Sequence, residues 1–313
     1  MNKFGNLKHI LRTGAFAVTG EIAPPKGCDS DIIRKKGEVM RDYVDAVNIT
    51  DNQMAVCRFS STAAGAVLLG AGVEPVVQMT TRDRNRLALQ SDILGAAGLG
   101  IQNILCLTGD HQSIGNHPQA RGVYDIDSIQ LIQAAADMRD RGMFVSGDKI
   151  THGLPRLFIG GAANPFMEPR KLAIMRMEKK GNAGADFIQT QAVFNVSRFA
   201  EWMDDVRRAG LDERIHILAG VAPVKSPRII HRMANVIPGM DVPEEYVARM
   251  QCASDPEHEG ACIALEIIKG IRDIKGVHGI HIMAINWSSV VPRIVEESGL
   301  LPRPDKEDVG ECV

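Results

Sequence analysis

Short apolar runs alternate with longer amphipathic segments along most of this 313-residue chain. The runs are rich in β-branched residues and end in polar or Gly/Pro residues, which is typical of buried strands, and the longer segments have helical periodicity. Because strands that alternate with helices form parallel sheets, eight such units predict a single-domain α/β fold, the (β/α)₈ TIM barrel. The predicted strands are Phe16–Ile22, Ala46–Thr50, Pro75–Thr80, Asn103–Leu107, Leu157–Gly161, Phe187–Ala192, Ile215–Val221 and Ile280–Ile285.

Glycines at the ends of the predicted helices support this number of units. A helix that runs into Gly and then a strand recurs as AAGLGIQNILCL, NAGADFIQTQ, RAGLDERIHILAG and GVHGIHIMAIN, and Gly accepts the left-handed backbone that ends a helix. Two irregular inserts, Gln112–Asp127 and Pro238–Pro256, interrupt the pattern, and neither is large enough for a second domain. We therefore expect residues 1–303 to form the barrel and the polar residues 304–313 to form a flexible tail.

Composition and charge narrow the class of protein. The chain has 45% hydrophobic and 24% charged residues, and 36 basic against 38 acidic side chains, so no charge excess favours binding to nucleic acid or to an anionic membrane. The longest apolar stretch, Ala63 to Val73, is shorter than the roughly 20 residues of a membrane span, and Lys8, His9 and Arg12 interrupt the N-terminal apolar residues where a secretion signal would be continuous. Six scattered cysteines without a C-x-x-C pair fit reduced thiols. These features predict a cytoplasmic protein whose partners are small molecules or proteins.

Polar residues occur where the predicted strands end, and in a TIM barrel these ends form the active-site mouth. A carboxylate, an amide or a hydroxyl follows most of the runs, so several such groups are expected to converge on one opening. The residues are Glu21, Thr50, Asp51, Gln78, Thr80, Thr81, Thr108, Asp110, Asn164, Gln191, Lys225 and Asn286.

Three of these residues suggest chemistry, each with a structural alternative. Glu21 in VTGEIAPP would act as a general acid if partly desolvated, or else it is a solvated carboxylate at a strand end. Asp110 in LCLTGDH is either a functional carboxylate or a turn residue that caps a loop. In FIQTQAVF we expect one of Gln189 and Gln191 to point into the barrel and the other outward, and an amide there suits a heterocycle that offers donors and acceptors.

Several other chemistries lack their motifs. The chain has no G-x-x-x-x-G-K-[ST] phosphate loop and no G-x-S-x-G elbow, and its glycines do not match G-x-G-x-x-G. Cys252, His258 and Cys262 are weak candidates for metal ligands, but their spacing fits no structural zinc pattern. We therefore expect no metal site.

A set of ordered motifs carries a family resemblance over nearly the whole chain. The motifs are Glu21 followed by Pro24–Pro25, Thr108-Gly109-Asp110 after the fourth strand, Lys180 ahead of GADFIQTQ with Gln191, GVAPV from Gly220 to Val224, and Asn286 in IMAINW. In these motifs the sequence resembles the methylenetetrahydrofolate reductase family. The resemblance implies a flavin, FAD or FMN, across the barrel mouth and the reduction of 5,10-methylenetetrahydrofolate to 5-methyltetrahydrofolate.

The resemblance also implies roles for individual residues. Glu21 resembles the general acid that protonates N10 and opens the five-membered ring, and Asp110 resembles the carboxylate that favours the resulting cation and influences the flavin potential. Gln191, the third catalytic candidate, and Asn286 match positions near the folate. The cofactor-binding candidates are Thr50, Asp51, Gln78, Leu107, Thr108, Gly109, Asp110, Tyr124, Gly161, Asn164 and Lys180.

Departures from the family pattern concern the cofactor and the electron donor. Where the family has His, Arg, Arg, Tyr, His and Asp, this chain has Gln78, Thr108, Trp287, Gly160, Asn164 and Ala173. Most of these changes remove contacts to the outer, nucleotide part of FAD, which makes FMN credible. Met233 stands where relatives have the aromatic that stacks on NADH. The resemblance thus leaves NAD(P)H or an iron–sulfur partner subunit or ferredoxin as the electron source, within an oligomer or a hetero-complex.

Two other functions remain open from the sequence. A pterin-binding methyltransferase barrel handles methyltetrahydrofolate without a flavin, and an electron-relaying or inactive subunit of a larger complex would share the fold. Glu21, Asp110 and Gln191 together argue against an inactive subunit, because a scaffold needs no acid–amide set at a barrel mouth.

Overall fold

The computed structural model describes residues 6–237 and 239–304, and its eight parallel strands form a closed barrel in sequence order. The predicted TIM barrel is confirmed, and β1 closes the ring by pairing with β8, Thr19 opposite His281. Of the predicted tail, residues 305–313 lie outside the described part. The strands are β1 (Ala17–Ile22), β2 (Ala46–Ile49), β3 (Pro75–Thr80), β4 (Asn103–Leu107), β5 (Phe158–Ala163), β6 (Phe187–Ala192), β7 (His216–Val221) and β8 (Gly279–Ile282).

Helices surround this barrel, and one more precedes it. None of the described helices is long and apolar enough to cross a membrane. The helices are α1 (Asn6–Arg12), α2 (Asp31–Met40), α3 (Ser61–Gly70), α4 (Arg86–Gly98), α5 (Ser128–Ala136), α6 (Arg170–Asn182), α7 (Val196–Arg208), α8 (Pro227–Val236), α9 (Glu244–Cys252), α10 (Pro256–Arg272) and α11 (Val291–Glu297).

The predicted bounds of β1, β2, β5 and β7 are shifted by one or two residues, and two larger differences have local reasons. The last strand ends at Ile282 instead of Ile285, because the backbone then turns: Ile285 N donates to Met283 O at 3.0 Å, and Asn286 has a φ of 54°. Asn286 therefore lies in a loop beyond the strand. The insert after α8, predicted as irregular, contains α9, whose start has the usual signals of a proline followed by two acidic residues in the first turn.

The amino-terminal end of the barrel, here called the closed end, is filled by apolar side chains. The rings of Phe158 and Phe187 stack with centroids 5.1 Å apart. Helix α1 buries Leu7, Ile10 and Leu11 against this layer, which seals the end from solvent. The inward-facing residues of the layer are Ala17, Ala46, Val76, Leu105, Phe158, Phe187 and Leu218.

Buried carboxylates just ahead of the strands hold the closed end together. The Glu74 carboxylate accepts hydrogen bonds from the first two backbone N–H groups of α1, at 2.7 and 3.1 Å, and from Asn103. Asp45 accepts from Val18 N at 2.7 Å and pairs with Arg303 at 2.6 Å. Because a buried charge is tolerated only with such partners, each carboxylate fixes one strand or helix in place.

One layer above the apolar residues, the barrel interior is polar. Thr19, Asn48, Gln189 and His281 point into it and are each 3% exposed or less. Asn48 on β2 and Gln189 on β6 lie four strands apart in the ring, so their reciprocal hydrogen bonds, 2.5 and 3.1 Å, cross the barrel axis. We call this pair the amide bridge; it lies between the apolar layer and the mouth.

Candidate active site

Glu21 lies near the end of β1, with 19% of its side chain exposed at the mouth. Its Oε2 accepts a hydrogen bond of 3.3 Å from Gln78 Nε2 on β3 and lies 3.4 Å from His281 Nε2 on β8. The structure thus brings together two residues that the sequence predicts, Glu21 and Gln78. Three strands fix the direction in which this carboxyl group points.

His281 is a site residue that the sequence reasoning missed. Its Nδ1 is 2.9 Å from Thr19 Oγ1, which in turn accepts a hydrogen bond of 3.4 Å from Gln189 Nε2 of the amide bridge. A continuous row of polar side chains therefore runs from Glu21 down to the amide bridge. The signal in the sequence was a polar residue at an alternate position inside an otherwise apolar strand, as in AVTGEI, AVNI and GIHI.

Gln189 and Gln191 have different environments, but the alternation of side chains along a strand is not the cause. Residues two apart in a regular strand share a face, so the expectation that alternation would separate them rested on the wrong period. The ladder between β6 and β7 shifts register between Gln189 and Ala192. Gln189 points into the barrel as part of the amide bridge, whereas Gln191 is half-buried and its Oε1 accepts a hydrogen bond from Ala192 N at 3.1 Å.

The turn after β4 presents Asp110 as an exposed carboxylate. Gly109 makes this turn possible, because its φ is 88° and a Cβ there would lie 3.2 Å from Thr80 and 3.3 Å from Arg82. Asp110 Oδ2 accepts a hydrogen bond of 2.8 Å from Met54 N in the loop after β2. The carboxylate is thus held by a neighbouring loop instead of turning freely.

The loop after β2 has an uncommon backbone. Asn52, Met54 and Ala55 have φ values of 47°, 56° and 54°, and non-glycine residues in this left-handed region cost free energy, of order 1 kcal/mol or more each. Strain of this kind persists only where the surroundings hold it. Gly115 packs directly against this loop: a Cβ at that position would lie only 1.9 Å from the Ala55 carbonyl oxygen, so only glycine allows the close approach.

Thr50 and Asp51, which follow β2, bond within the chain. The Thr50 hydroxyl donates to Gln53 Oε1 at 2.7 Å. The Asp51 carboxylate accepts from the backbone N–H and the hydroxyl of Thr80, at 2.9 and 3.0 Å, and pairs with Arg84. Asp51 therefore joins the β2 and β3 loops, and both residues are buried beside the mouth.

Lys180 and Gly161 lie on the helix-facing side of β5. The Lys180 ammonium donates to the Ala162 carbonyl, and burial lowers its pKa to about 8. A Cβ on Gly161 would be 3.3 Å from Lys180 Cδ, so this glycine leaves space for the lysine side chain. These two predicted cofactor residues are therefore separated by the sheet from the group around Glu21.

The remaining candidates lie around the rim. Asn164 accepts a hydrogen bond from Phe166 N at 2.9 Å and packs against Gly239. Tyr124 is partly exposed with a φ of 43°, Leu107 and Thr108 are half-buried, and Asn286 is exposed.

Met233 and Trp287, two of the departures from the family pattern, are both buried. Met233 on α8 is 2% exposed and belongs to the hydrophobic core. Trp287 is 8% exposed, and Lys225 Nζ lies 6.0 Å from the centroid of its ring. Neither side chain presents an open flat surface at the mouth.

The polar side chains at the mouth offer the hydrogen-bond donors and acceptors that a flat heterocycle needs. Glu21, Gln78 and Gln191 supply a carboxylate and two amides, and the Asp110 turn supplies a second carboxylate. No group of three or more His, Cys, Asp or Glu side chains in residues 6–237 and 239–304 is arranged to hold a metal. Two of the metal candidates, His258 and Cys262, lie together near the surface: Cys262 Sγ is 3.5 Å from His258 Nε2, and Arg293 is 2.9 Å from His258 Nδ1.

Comparison with known proteins identifies relatives of this chain. The profile of the family described as methylenetetrahydrofolate reductase matches residues 6–299. The 5,10-methylenetetrahydrofolate reductase of Escherichia coli is 24% identical over 240 residues, covering 74% of this chain and 72% of that protein. Methylenetetrahydrofolate reductase 2 of Saccharomyces cerevisiae is 25% identical over 244 residues, covering 74% of this chain but 37% of the yeast protein. The chain thus spans little more than a third of that relative.

Solved structures agree on the fold. A protein from Clostridium thermocellum, described as uncharacterized and as binding two copies of 5-methyl-5,6,7,8-tetrahydrofolic acid, superposes with a TM-score of 0.65 at 14% identity. The match covers 94% of this chain and 100% of that one. An oxaloacetate acetylhydrolase superposes with a TM-score of 0.51 at 10% identity over 96% of this chain.

Proposed function

This chain belongs to the methylenetetrahydrofolate reductase family, and from that premise we propose that it reduces 5,10-methylenetetrahydrofolate to 5-methyltetrahydrofolate with a bound flavin, in the cytoplasm. The observation that carries this proposal is the position of Glu21, held at the mouth by Gln78 and His281 from two other strands. A clostridial protein with the same fold is described as binding 5-methyl-5,6,7,8-tetrahydrofolic acid, which supports a folate as the ligand of this barrel.

Glu21 supplies the proton in the proposed reaction. Opening the five-membered ring of the substrate breaks the bond between N10 and the methylene carbon, and N10 must then take up a proton. A carboxyl group aimed by two partners and partly shielded from water can deliver it as a general acid. The open form is a cation with a double bond between N5 and the former methylene carbon. Reduced flavin, when bound, supplies the hydride that turns this carbon into a methyl group.

Asp110 stabilises that cation in the proposed mechanism. Its carboxylate is already fixed by Met54 N–H before any substrate binds, so it needs no reorganisation when positive charge develops. Gln191 and Asn286 would bind polar edges of the pterin, because an amide offers both a donor and an acceptor.

The flavin would lie across the mouth, held by the turn from Leu107 to Asp110, Thr50, Gln78 and Tyr124. Lys180 and Gly161, expected near the cofactor, lie on the helix-facing side of β5, away from the mouth. Fewer side chains are then left to contact the nucleotide part of FAD, which supports FMN as an alternative to FAD as the bound flavin.

The test is direct. The purified protein should be yellow, with a flavin spectrum, and heat release followed by chromatography identifies the flavin. Anaerobic reduction with dithionite and addition of 5,10-methylenetetrahydrofolate should reoxidise the flavin and yield one equivalent of 5-methyltetrahydrofolate. A colourless protein that transfers a methyl group from methyltetrahydrofolate would instead support the methyltransferase alternative.

For the electron donor, we propose a partner iron–sulfur subunit or ferredoxin in preference to free NADH. Met233 and Trp287 are buried, whereas an aromatic platform would add on the order of 1 kcal/mol of stacking to nicotinamide binding. The six cysteines lack cluster spacing, so a cluster would belong to the partner. In anaerobic stopped-flow, NADH should bleach the flavin band slowly, and a co-purified iron–sulfur protein should accelerate it. Bleaching by NADH alone at about 10 s⁻¹, an ordinary turnover rate, would contradict this.

A further inference from the structure

Arg82 lies just after β3 and is one of the largest fully buried side chains of the described residues, 2% exposed. A buried arginine is uncommon unless its charge and its N–H donors are matched. Asp83 matches the charge: its carboxylate accepts hydrogen bonds of 2.8 Å from Arg82 Nε and 2.7 Å from Nη2. Of the three N–H donors of the guanidinium that remain, two bond to loops of the mouth.

These two donors bond to backbone carbonyls in different loops. Arg82 Nη1 donates to Asp110 O at 3.0 Å, in the turn after β4. Arg82 Nη2 donates to Asn52 O at 3.2 Å, at the start of the loop after β2 whose residues have left-handed backbone. One side chain therefore joins the two segments that also meet through the Asp110 carboxylate and Met54 N.

The backbone of Arg82 extends the same connection. Its N–H donates to Thr108 O at 3.1 Å, and its carbonyl accepts from Val123 N at 2.7 Å, beside Tyr124. Four candidate cofactor residues, Thr108, Gly109, Asp110 and Tyr124, are thus in or next to segments that bond to Arg82. A lysine has a single ammonium and cannot span two carbonyls and a carboxylate in this planar arrangement.

We infer that Arg82 is a positioning residue, which holds the Asp110 carboxylate at the mouth by fixing the turn after β4 against the strained loop after β2. The inference rests on the proposed function for its catalytic consequence. Its structural part is independent: without the guanidinium, the carbonyls of Asn52 and Asp110 lose this donor and the Asp83 carboxylate loses its ion pair. The loop of Asn52 to Ala55 is then free to relax from its left-handed backbone.

The test compares Arg82→Met, Arg82→Lys and a control, Arg86→Met, which removes an arginine from the same RDRNR run. Arg86 pairs with Asp125 on the surface and has no bond to the Asp110 turn. Hydrogen exchange followed by mass spectrometry should show faster exchange in segments 52–56 and 108–112 of Arg82→Met, less so in Arg82→Lys, and no change in Arg86→Met. Strand segments should exchange as in the parent protein.

Activity then reports the catalytic consequence. Arg82→Met should lower kcat by a factor of about 10 to 100, and Arg82→Lys should recover part of it. Since Arg82 acts through Asp110, the double variant Arg82→Met/Asp110→Asn should be no slower than Asp110→Asn alone.

Two results would overturn the inference: unchanged exchange in both segments of Arg82→Met, or a double variant slowed by the product of the two single factors. The exchange experiment needs no turnover, so it tests the role of Arg82 even if the chain reduces no folate. If Arg82→Met does not fold, Arg82→Lys provides both measurements, and exchange and kcat in that variant equal to the parent protein's would be decisive against the inference.

Discussion

The two ends of the barrel are built from the same strands but from opposite kinds of side chain. Along β1 the inward positions read Ala17, Thr19 and Glu21, and along β6 they begin with Phe187 and Gln189. Two residues advance a strand by roughly 6.6 Å, so on these strands the inward side chains change from apolar to polar within a single layer. The amide bridge lies at this change.

Because of this difference, one end of the barrel contributes mainly to stability and the other carries the candidate active site. The closed end gains free energy from buried apolar area and from α1, and its Glu74 and Asp45 carboxylates are hydrogen-bonded. The mouth instead contains a carboxylate held by Gln78 and His281, a strained loop and a buried arginine. Substitutions at the closed end should therefore change the free energy of unfolding, and those at the mouth should change the rate.

Glu21→Gln should give the largest effect, and this effect should be on the rate of folate turnover and not on stability. Glutamine keeps the size and hydrogen bonds of the side chain but cannot donate a proton to N10, so turnover should drop by on the order of 10³ or more. Flavin content, reduction by dithionite and the urea midpoint should stay as in the parent protein. Near-normal folate turnover in this variant would remove Glu21 from the acid role.

Phe187→Ala should give the next largest effect, and it should fall on stability. The ring is fully buried against Phe158, and truncating a buried phenylalanine costs about 3–5 kcal/mol. Urea unfolding followed by circular dichroism measures this loss. Turnover per folded molecule at low temperature should change by less than a factor of about 3; a much larger loss would mean that the two ends are coupled.

Asp110→Asn should reduce the rate by on the order of 10², which corresponds to about 2.7 kcal/mol in the barrier. Asparagine can still accept the hydrogen bond from Met54 N, so the loop should keep its position while the negative charge is lost. The flavin midpoint potential, measured by xanthine oxidase titration, should shift in the same variant. An unchanged potential and rate would make Asp110 a structural turn residue only.

His216→Phe should give the smallest effect, visible only in acid. Burial, with the neighbouring His278 and Arg12 charges, lowers the pKa of His216 to about 4 from 6.5, and no described residue accepts or donates at its Nδ1. Between pH 6.5 and pH 4 the unfolded chain binds the extra proton, so stability falls as the pH falls through this window.

Because the ring is partly accessible, the effect should be about 1 kcal/mol at pH 5. Urea unfolding at pH 8 and at pH 5 measures how much unfolding free energy each protein loses between the two. The parent protein should lose about 1 kcal/mol more than His216→Phe. Equal losses in both proteins would leave the acid sensitivity of the closed end to other groups.

The sequence predicted the barrel well because its signals are local. Strands β3, β4 and β6 have the predicted bounds, since each apolar run is flanked by Gly, Pro or polar residues. The end of β8 was wrong because Met283 to Ile285 look like a strand in composition, while a turn stops the ladder at Ile282.

The candidate site was only partly predictable, for a physical reason. Glu21 and Gln78 follow from the rule that strand ends form the mouth. His281, Arg82 and the amide bridge do not, because each depends on which distant residue lies opposite it: Asn48 and Gln189 are 141 positions apart. Polarity inside a strand signals that a partner exists, but the closed ring alone decides which one.

Ring closure also has a consequence during synthesis. Strand β1 forms its second edge with β8, and the contact between Thr19 and His281 joins positions 262 residues apart. At 5–20 residues per second, β1 is synthesised roughly 13 to 52 s before β8. Throughout that interval the nascent sheet keeps two unpaired edges, which are templates for pairing with another chain. We expect chaperones that bind nascent chains to raise the yield of this protein most when translation is slow.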